Sequence, residues 1–312
     1  MQGQARKSQS AAAETLAWAY YWKHSGASRC VPAEQLVSQM LSTCWREFAR
    51  SIPAQGRVLD LGTGLGYVLK EIGSERADVE LVGIDSVMSL WTDDPRLRIN
   101  AGVMMERLPF GSAEFDCVCS QFGFEYSDMP ATAREIARVL RPGGAVKLLI
   151  HHSDGAVVHQ SARRKAALEW IFEQSGIFEE AGRLLDRCRT LVTATSGACR
   201  DAVERAGERQ LDSVAAEVAA AVHQVIAPPS QGWAKQVESG LSRLRDHARN
   251  ERLMLAAIER VSIDGGRIEE IVSILGNSGL HPKPPRILEA QADVPFAWLI
   301  DATRPENRTK PS

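Results

Sequence analysis

The sequence predicts an α/β fold in which strands and helices alternate around a mostly parallel sheet. Three observations lead to this prediction. Short apolar runs between residues 57 and 150 are separated by stretches with helical spacing or by turn residues. The first run leads into a glycine-rich turn, Gly62 to Gly66, that opens a helix. Helical periods after residue 152 predict a helical addition to the sheet.

Composition and charge narrow the class of protein. The 312 residues suffice for one large domain or two modest ones, and 44% hydrophobic with 24% charged residues is ordinary for a globular protein. The net charge of −2 provides no global basic field for nucleic acid. No apolar run reaches the ~20 residues that span a bilayer, and the first ten residues lack an apolar signal core. We expect a cytoplasmic protein without nucleic-acid or membrane partners.

Two helices are predicted within residues 11–50. The first carries an apolar stripe, Leu16, Ala17, Ala19 and Tyr20, and the second an apolar stripe over residues 36–48. Pro32 marks the start of the second helix. The first helix also has an aromatic cluster of Trp18, Tyr20, Tyr21 and Trp22. We expect this cluster either to pack on the core or to form a lid over a ligand.

The remaining elements follow from apolar runs and turn residues. Strands are predicted at 57–61, 79–85, 96–101, 114–121, 145–150, 286–290 and 296–300, and helices at 64–73, 87–91, 130–140 and 267–280. Residues 141–144 read Arg-Pro-Gly-Gly and should end the helix before them. Proline cannot continue a helix, and glycine accepts the left-handed cap.

The glycine turn is the centre of the predicted site. Glycines accept positive φ and let a ligand approach the backbone closely, and the next helix points its amide groups into the turn. The dinucleotide fingerprint needs a small residue where Tyr67 stands. Asp60, two residues before the first glycine, would repel a pyrophosphate and attract a cationic ammonium. This pattern favours a turn that binds a ligand with a cationic ammonium. The alternatives are a nucleotide-binding enzyme and a turn with a purely structural role.

Further candidate ligands stand at other strand ends. Asp85 ends the second strand, where an acid accepts hydrogen bonds from ribose hydroxyls, and Ser86 follows it. In open α/β sheets the ligand lies at the carboxyl ends of the strands. Residues 120–126, at the end of the fourth strand, should therefore face the same ligand.

Five motifs carry a family resemblance over residues 55–152: D-L-G-T-G-L-G, G-I-D, L-P-F, F-D-C-V and V-L-R-P-G-G. The set resembles the class I (Rossmann-like) methyltransferases of small molecules, type 11, which include the ubiquinone/menaquinone enzymes. The resemblance implies an antiparallel last strand, S-adenosylmethionine (SAM) as methyl donor and S-adenosylhomocysteine (SAH) as product. The implied donor-binding residues are Asp60, Gly62, Thr63, Gly64, Gly66, Asp85, Ser86, Met104, Met105, Glu106, Ser120, Gln121 and Phe122.

One position departs from the family pattern. The family commonly has an Asp that binds the adenine amino group where this chain has Met104. We expect the thioether of Met104 to pack on the ring and backbone groups of Met105 to hydrogen-bond its edge.

Residues 153–262 form an insertion by comparison with this family, placed between the fifth strand and its helix. Two helical runs flank Pro228-Pro229: Leu211, Val214, Val218, Val222 and Val225, then Val237, Leu241, Leu244, Ala248, Leu255 and Ile258. Basic and acidic residues are equal in number there. We expect N-terminal helices (1–50), a SAM-binding domain (51–152 with 263–312), and an insertion that is either a substrate cap or a homodimerisation module.

The expected reaction is methyl transfer to an O, N or C atom of a small-molecule substrate, in secondary or specialised metabolism. His151 and His152 end the fifth strand and are candidate bases, because histidine suits proton removal near neutral pH; either one alternatively packs beneath the cap. Glu125 and Tyr126 are further catalytic candidates.

The six cysteines lack metal-ligand spacing, and no metal is expected. The alternatives are a non-catalytic SAM-binding partner or regulator and a protein or RNA methyltransferase.

Overall fold

The structure, a computed structural model, describes residues 2–24, 35–190, 217–218, 221, 233–291 and 293–306. The chain divides into two compact units. The first comprises Met1–His159 with Ile258–Ser312, and the second comprises Gln160–Ala257. No helix in the described ranges is long and apolar enough to cross a bilayer.

The first unit is built on a sheet that has eight strands in the described part of the chain. The strands are β1 (Arg57–Leu61), β2 (Glu80–Asp85), β3 (Leu97–Ala101), β4 (Phe115–Gln121), β5 (Leu140–His151), β6 (His281–Pro282), β7 (Arg286–Gln291) and β8 (Val294–Thr303). Their order is β3-β2-β1-β4-β5-β8-β6, and β7 also pairs with β8. The first five strands are parallel, whereas β8 is antiparallel to β5. The predicted fold class is confirmed.

The strand order reverses at β1, which pairs with β2 on one side and β4 on the other. Such a reversal opens a crevice beyond the carboxyl ends of the two strands, which is where ligands bind in open α/β sheets. Val58, Leu59 and Leu61 of β1 are fully buried. Adjacent side chains on opposite faces of β1 are thus both buried, which is typical of a parallel strand that is covered on both faces. The fold therefore places the candidate site at the ends of β1 and β4.

Helices cover both faces of this sheet: α1 (Gln2–His24), α2 (Gln35–Arg50), α3 (Tyr67–Glu75), α4 (Met129–Val139) and, after the insertion, α8 (Gly265–Asn277). One apolar cluster joins Trp45 of α2 to Ile72 of α3. A second cluster joins Ile136 of α4 to Ile271 of α8. The carboxylate of Asp128 caps α4 by accepting the N–H of Ala131 at 2.9 Å.

The second unit is helical in its described residues. It contains α6 (Ile177–Thr190) and most of α5 (Ala156–Glu173) and α7 (Trp233–Val261). Ala181 and Leu185 of α6 pack with Val237 and Leu241 of α7, so the second predicted helical run is confirmed there. The first predicted run, apart from Val218, and Pro228-Pro229 lie outside the described residues, as does Pro32.

The compact second unit begins later and ends earlier than the predicted insertion of residues 153–262. The reason is packing. Val157, Val158 and Ile258 are buried in the core of the first unit, although they lie within the predicted insertion.

Three local predictions are corrected by the structure. The helix predicted at 87–91 is wrong, because the N–H of Val87 bonds Asp85 and its carbonyl bonds Gly102. Leu16, predicted in the apolar stripe of the first helix, is 69% exposed. Residues 141–144 do not end α4, because α4 ends at Val139 and β5 already begins at Leu140.

Candidate active site

A cavity opens at the point where the strand order reverses. Its wall on the sheet side consists of Asp60, Gly62, Thr63, Tyr67, Val68, Asp85, Ser86, Val87, Val103, Met104, Met105, Glu106, Gln121, Phe122, Gly123, Tyr126 and Ser127. One face of α1 forms the other wall, with Glu14, Thr15, Trp18 and Trp22. The ends of three strands and an N-terminal helix thus enclose a single space.

The three glycines of the turn have different surroundings, although all have positive φ. Gly62 lines the cavity, and a Cβ there would lie 3.2 Å from the Cα of Gly123. A Cβ on Gly64 would lie 2.6 Å from the ring of Trp22, and one on Gly66 would lie 2.5 Å from Leu97. Of the three predicted donor ligands, Gly62 therefore faces the cavity, Gly64 is covered by α1, and Gly66 packs on β3.

Asp60 presents an unsatisfied oxygen on the cavity wall. Its side chain is 1% exposed, and its Oδ1 accepts a weak hydrogen bond from the Cys119 thiol at 3.7 Å. Its Oδ2 has no hydrogen-bond partner among the described residues. Burial raises the pKa of Asp60 to about 7, an effect that the nearby Thr63 hydroxyl partly offsets. A cation placed beside Oδ2 would favour the ionised carboxylate.

Asp85 links the glycine turn to the loop after β2 by hydrogen bonds. Its Oδ2 accepts the N–H of Gly64 and its Oδ1 accepts the N–H of Val87, each at 2.9 Å. Burial raises the pKa of the Asp85 carboxyl, and these two N–H groups oppose the rise. Each carboxylate oxygen has a second lone pair, so the group can still accept hydrogen bonds from a ligand.

The segment after β3 runs along one side of the cavity. The N–H of Val103 donates to the Asp85 carbonyl at 2.8 Å. Met104 is 56% exposed, and Met105 reaches to within 3.7 Å of the Cβ position of Gly62. Glu106 accepts the N–H of Asp128 through Oε1, while its Oε2 has no partner in the described ranges. Predicted residues Ser86, Met104, Met105 and Glu106 all line the cavity.

The residues that follow β4 differ in role. Gln121 lines the cavity and accepts the Trp45 Nε1–H at 2.7 Å, which fixes its side chain to α2. Phe122 also lines the cavity and has an unusual φ of +56°. Ser120 is fully buried, donates to the Leu61 carbonyl and accepts the N–H of Phe124. Ser120 is not on the cavity wall; it ties β1 to the turn after β4.

Glu125 and His151 form a buried pair behind the cavity wall. Glu125 Oε1 accepts the backbone N–H of His151 at 2.9 Å and lies 2.8 Å from its Nδ1. An ionised carboxylate only accepts hydrogen bonds, so this contact favours the His151 tautomer with its hydrogen on Nδ1. Nε2 is buried without a hydrogen-bond partner among the described residues. The His151 ring stacks on Phe122 at 4.2 Å and meets Tyr126 edge-on at 6.3 Å.

His152 lies in different surroundings from its neighbour. Its ring stacks on Trp298 of β8 at 4.6 Å, and its Nδ1 accepts the N–H of Asp154 at 3.0 Å. Burial lowers the pKa of His152, so the neutral form is favoured. Only Tyr126 of the four predicted catalytic residues lines the cavity; His151 and Glu125 lie directly behind it.

For the aromatic residues of α1 the sequence left core packing and a lid both open, and it did not single out Glu14 or Thr15 as part of the site. Glu14, Trp18 and Trp22 recur every four residues and so share one helix face. This four-residue spacing was the sequence signal that could have assigned all three side chains to one wall of the site. Tyr20 belongs to another face and stacks on His24.

Comparison with known proteins agrees with this geometry. Residues 59–148 match the family model described as a methyltransferase domain. Demethylmenaquinone methyltransferase of Deinococcus radiodurans is 37% identical over 134 residues, which is 38% of this chain and 55% of that protein. The ubiquinone/menaquinone biosynthesis C-methyltransferase of Geotalea daltonii is 31% identical over 129 residues, which is 37% of this chain and 55% of that protein. The chain thus spans about half the length of these curated relatives.

A solved structure is also similar over a larger part of the chain. A chain from the complex of the Haloferax volcanii Trm112 methyltransferase activator with a methyltransferase covers 93% of this chain and 98% of its own. The identity is 14% and the TM-score is 0.48, too low to carry an argument about function.

Residues 59–148 thus combine a match to the methyltransferase-domain family with the strand order of a Rossmann-like sheet. The curated relatives named above are methyltransferases of the menaquinone and ubiquinone type.

The residues present fit the methyl donor. Asp60 offers an unpartnered carboxylate oxygen to an ammonium, and Asp85 offers lone pairs to hydroxyls. No lysine, arginine or histidine is found among the described residues on the cavity wall, so no cationic side chain there would hold a pyrophosphate. SAM has no phosphate, and this donor set suits it better than a dinucleotide.

Proposed function

We propose that this protein is a SAM-dependent methyltransferase that acts on a small molecule. One observation carries the proposal. Asp60, Gly62 and Asp85 line a single cavity at the strand reversal, within the residues that match the methyltransferase family. The relatives' names make a quinone-type compound the first acceptor to test. Cytoplasmic location, a role in secondary metabolism, the absence of nucleic-acid partners and a homodimer stay predictions.

The protein's contribution to the reaction is alignment. SAM, when bound, supplies a methyl group already activated by the sulfonium. Asp60 and Asp85 would hold the donor from the ends of β1 and β2, and the α1 wall would exclude water. Holding donor and acceptor in line contributes ~7–11 kcal/mol in favourable cases. The acceptor reaches the donor from the side of Phe122 and Tyr126.

The first test is binding and transfer with purified protein. Calorimetry should show SAM and SAH binding in the micromolar range and no heat with NAD. Transfer of a labelled methyl group should then occur to demethylmenaquinone or to a compound in a metabolite extract. Heat with NAD alone would contradict the proposal. Binding without transfer would indicate a non-catalytic SAM-binding protein, and transfer only to protein or RNA would indicate a macromolecule methyltransferase.

We further propose that His151 removes the acceptor proton and that Glu125 positions it. His151→Asn should lower kcat by ~10²–10⁴-fold, the usual contribution of a general base, with the Kd for SAM unchanged within a few-fold. The neighbouring His152→Asn is the matched control, because His152 packs on Trp298 and should keep kcat nearly intact. Equal rates in the two variants would mean that His151 is only a packing residue.

The role of Glu125 has its own readout. Glu125→Gln keeps the size of the side chain but removes the carboxylate that contacts both the backbone N–H and Nδ1 of His151, so kcat should fall while the Kd for SAM stays within a few-fold. An unchanged kcat would remove Glu125 from the proposal.

A further inference from the structure

The wall contributed by α1 is a continuous run of aromatic rings. The ring of Trp22 rests on Gly64 so closely that no Cβ fits between them. Trp18 stacks on Trp22 with ring centroids 6.3 Å apart. It also meets Tyr126 edge-on at 5.8 Å. The rings thus extend from the glycine turn to the turn after β4, and all three belong to the cavity wall.

The same cavity is surrounded by acids. Four carboxylates line it within the described residues: Glu14, Asp60, Asp85 and Glu106. Among the described residues, no basic side chain belongs to the cavity wall. Ring faces carry negative electrostatic potential and attract cations. Both components of the wall therefore favour a positively charged occupant over a neutral one of the same shape.

We propose that Trp18, Trp22 and Glu14 make this site selective for the positively charged methyl donor over its neutral product. The inference rests on the proposed function. SAM carries a methylated, positively charged sulfonium, whereas SAH has lost that methyl and has an uncharged thioether; the two share their other groups. Weaker binding of the product speeds its release, the step that limits turnover in many enzymes.

A neighbouring arginine tunes the charge of this wall. Arg260 donates to Glu14 at 2.6 Å, and its side chain is 56% exposed. The pair is therefore partly screened by solvent and lowers the negative potential of Glu14 without abolishing it. Removing Arg260 should strengthen the preference for a cation, whereas removing the charge of Glu14 should weaken it.

The experiment compares three ligands by calorimetry with the full chain: SAM, SAH, and sinefungin, in which an ammonium-bearing carbon replaces the sulfonium sulfur. SAM and sinefungin should bind about tenfold more tightly than SAH, the ratio expected from a desolvated cation–ring contact. The ratio should fall at high salt, because screening weakens the part that Glu14 contributes.

Variants then assign the selectivity to the wall. Trp22→Leu and Glu14→Gln should each reduce the ratio of the SAH and SAM dissociation constants at least threefold. Arg260→Gln should raise that ratio about twofold. Trp91→Leu is the control, because Trp91 is 77% exposed and lies off the cavity wall. The ratio comes from one protein sample, so partial misfolding of a variant does not alter it.

The outcomes separate this inference from the proposed function. Equal affinities for all three ligands in the wild type would overturn the selectivity and leave SAM binding intact. A tenfold preference that persists unchanged in both Trp22→Leu and Glu14→Gln would also overturn it. A wild-type protein that binds none of the three ligands would overturn the proposed function, and this inference with it.

Discussion

Replacing Asp85 by alanine should lower the affinity for SAM by about 100-fold or more. The carboxylate accepts the N–H groups of Gly64 and Val87, and it is the predicted acceptor for the ribose hydroxyls. Hydrogen bonds to a charged group contribute ~1.5–3 kcal/mol each, and 1.4 kcal/mol corresponds to tenfold in affinity. Calorimetry with SAM and SAH measures the loss directly.

The same substitution should also destabilise the glycine turn. Alanine leaves two backbone donors without their acceptor, at a cost of ~1–3 kcal/mol for each group that stays buried. Thermal unfolding should therefore be recorded beside each titration. Asp85→Asn, which retains one acceptor oxygen, should lose less affinity, and Asp93→Ala, an exposed acid on the following loop, should lose none. Wild-type SAM affinity in Asp85→Ala would show that the donor binds elsewhere.

Deleting residues 160–257 should separate donor binding from turnover. We propose that the helical insertion selects the substrate, because its two ends join β5 and α8 of the SAM-binding domain. A short linker between His159 and Ile258 keeps Val157, Val158 and Ile258 for the core. SAM affinity should stay within a few-fold, since no residue of the described cavity wall is removed. If the insertion selects the substrate, methyl transfer should fall by orders of magnitude, because an unselected substrate is not held in line with the donor.

Two further measurements interpret this deletion. The wider deletion of residues 153–262 removes the three buried core residues as well, so it should unfold at a lower temperature than the narrow one. Light scattering reports the oligomeric state of wild type and deletion. Normal turnover by a folded deletion protein would refute the substrate cap. A change from dimer to monomer with turnover retained would favour the homodimerisation module.

The central strands could be predicted from the sequence because apolar residues cluster where a strand is buried. β1, with Val58, Leu59 and Leu61 buried, was predicted at its observed bounds, and β2 to β4 were predicted within one residue. The helix predicted at 87–91 is wrong because Val87 has one local and one long-range hydrogen-bond partner. Its N–H donates to the side chain of Asp85, and its carbonyl accepts the N–H of Gly102, which comes after the next strand. Only the first of these partners lies within the local sequence.

Site residues show the same division between local and long-range information. The turn glycines were recognisable by spacing, but only the folded chain shows that Trp22 covers Gly64 and that Leu97 packs on Gly66. Ser120 and Gln121 are adjacent and both polar, yet their side chains have different partners. The Ser120 hydroxyl donates to the Leu61 carbonyl, whereas the Gln121 side chain accepts the Trp45 Nε1–H and lines the cavity. The wall made by α1 depends on docking that aromatic residues alone do not reveal.

The position of β8 has a consequence for how the chain is synthesised. β8 covers the outer edge of β5, and the ion pair between Lys147 and Asp301 at 2.6 Å lies across this pairing. The ribosome completes β5 long before it makes β8, with the whole insertion in between. At ~5–20 residues per second this delay is on the order of ten seconds. During that time the apolar edge of β5 has no partner strand, and unpaired edges invite association between chains. The pairing of β5 with β8 is therefore a late step when the chain folds during synthesis, and until then the β5 edge is open to association.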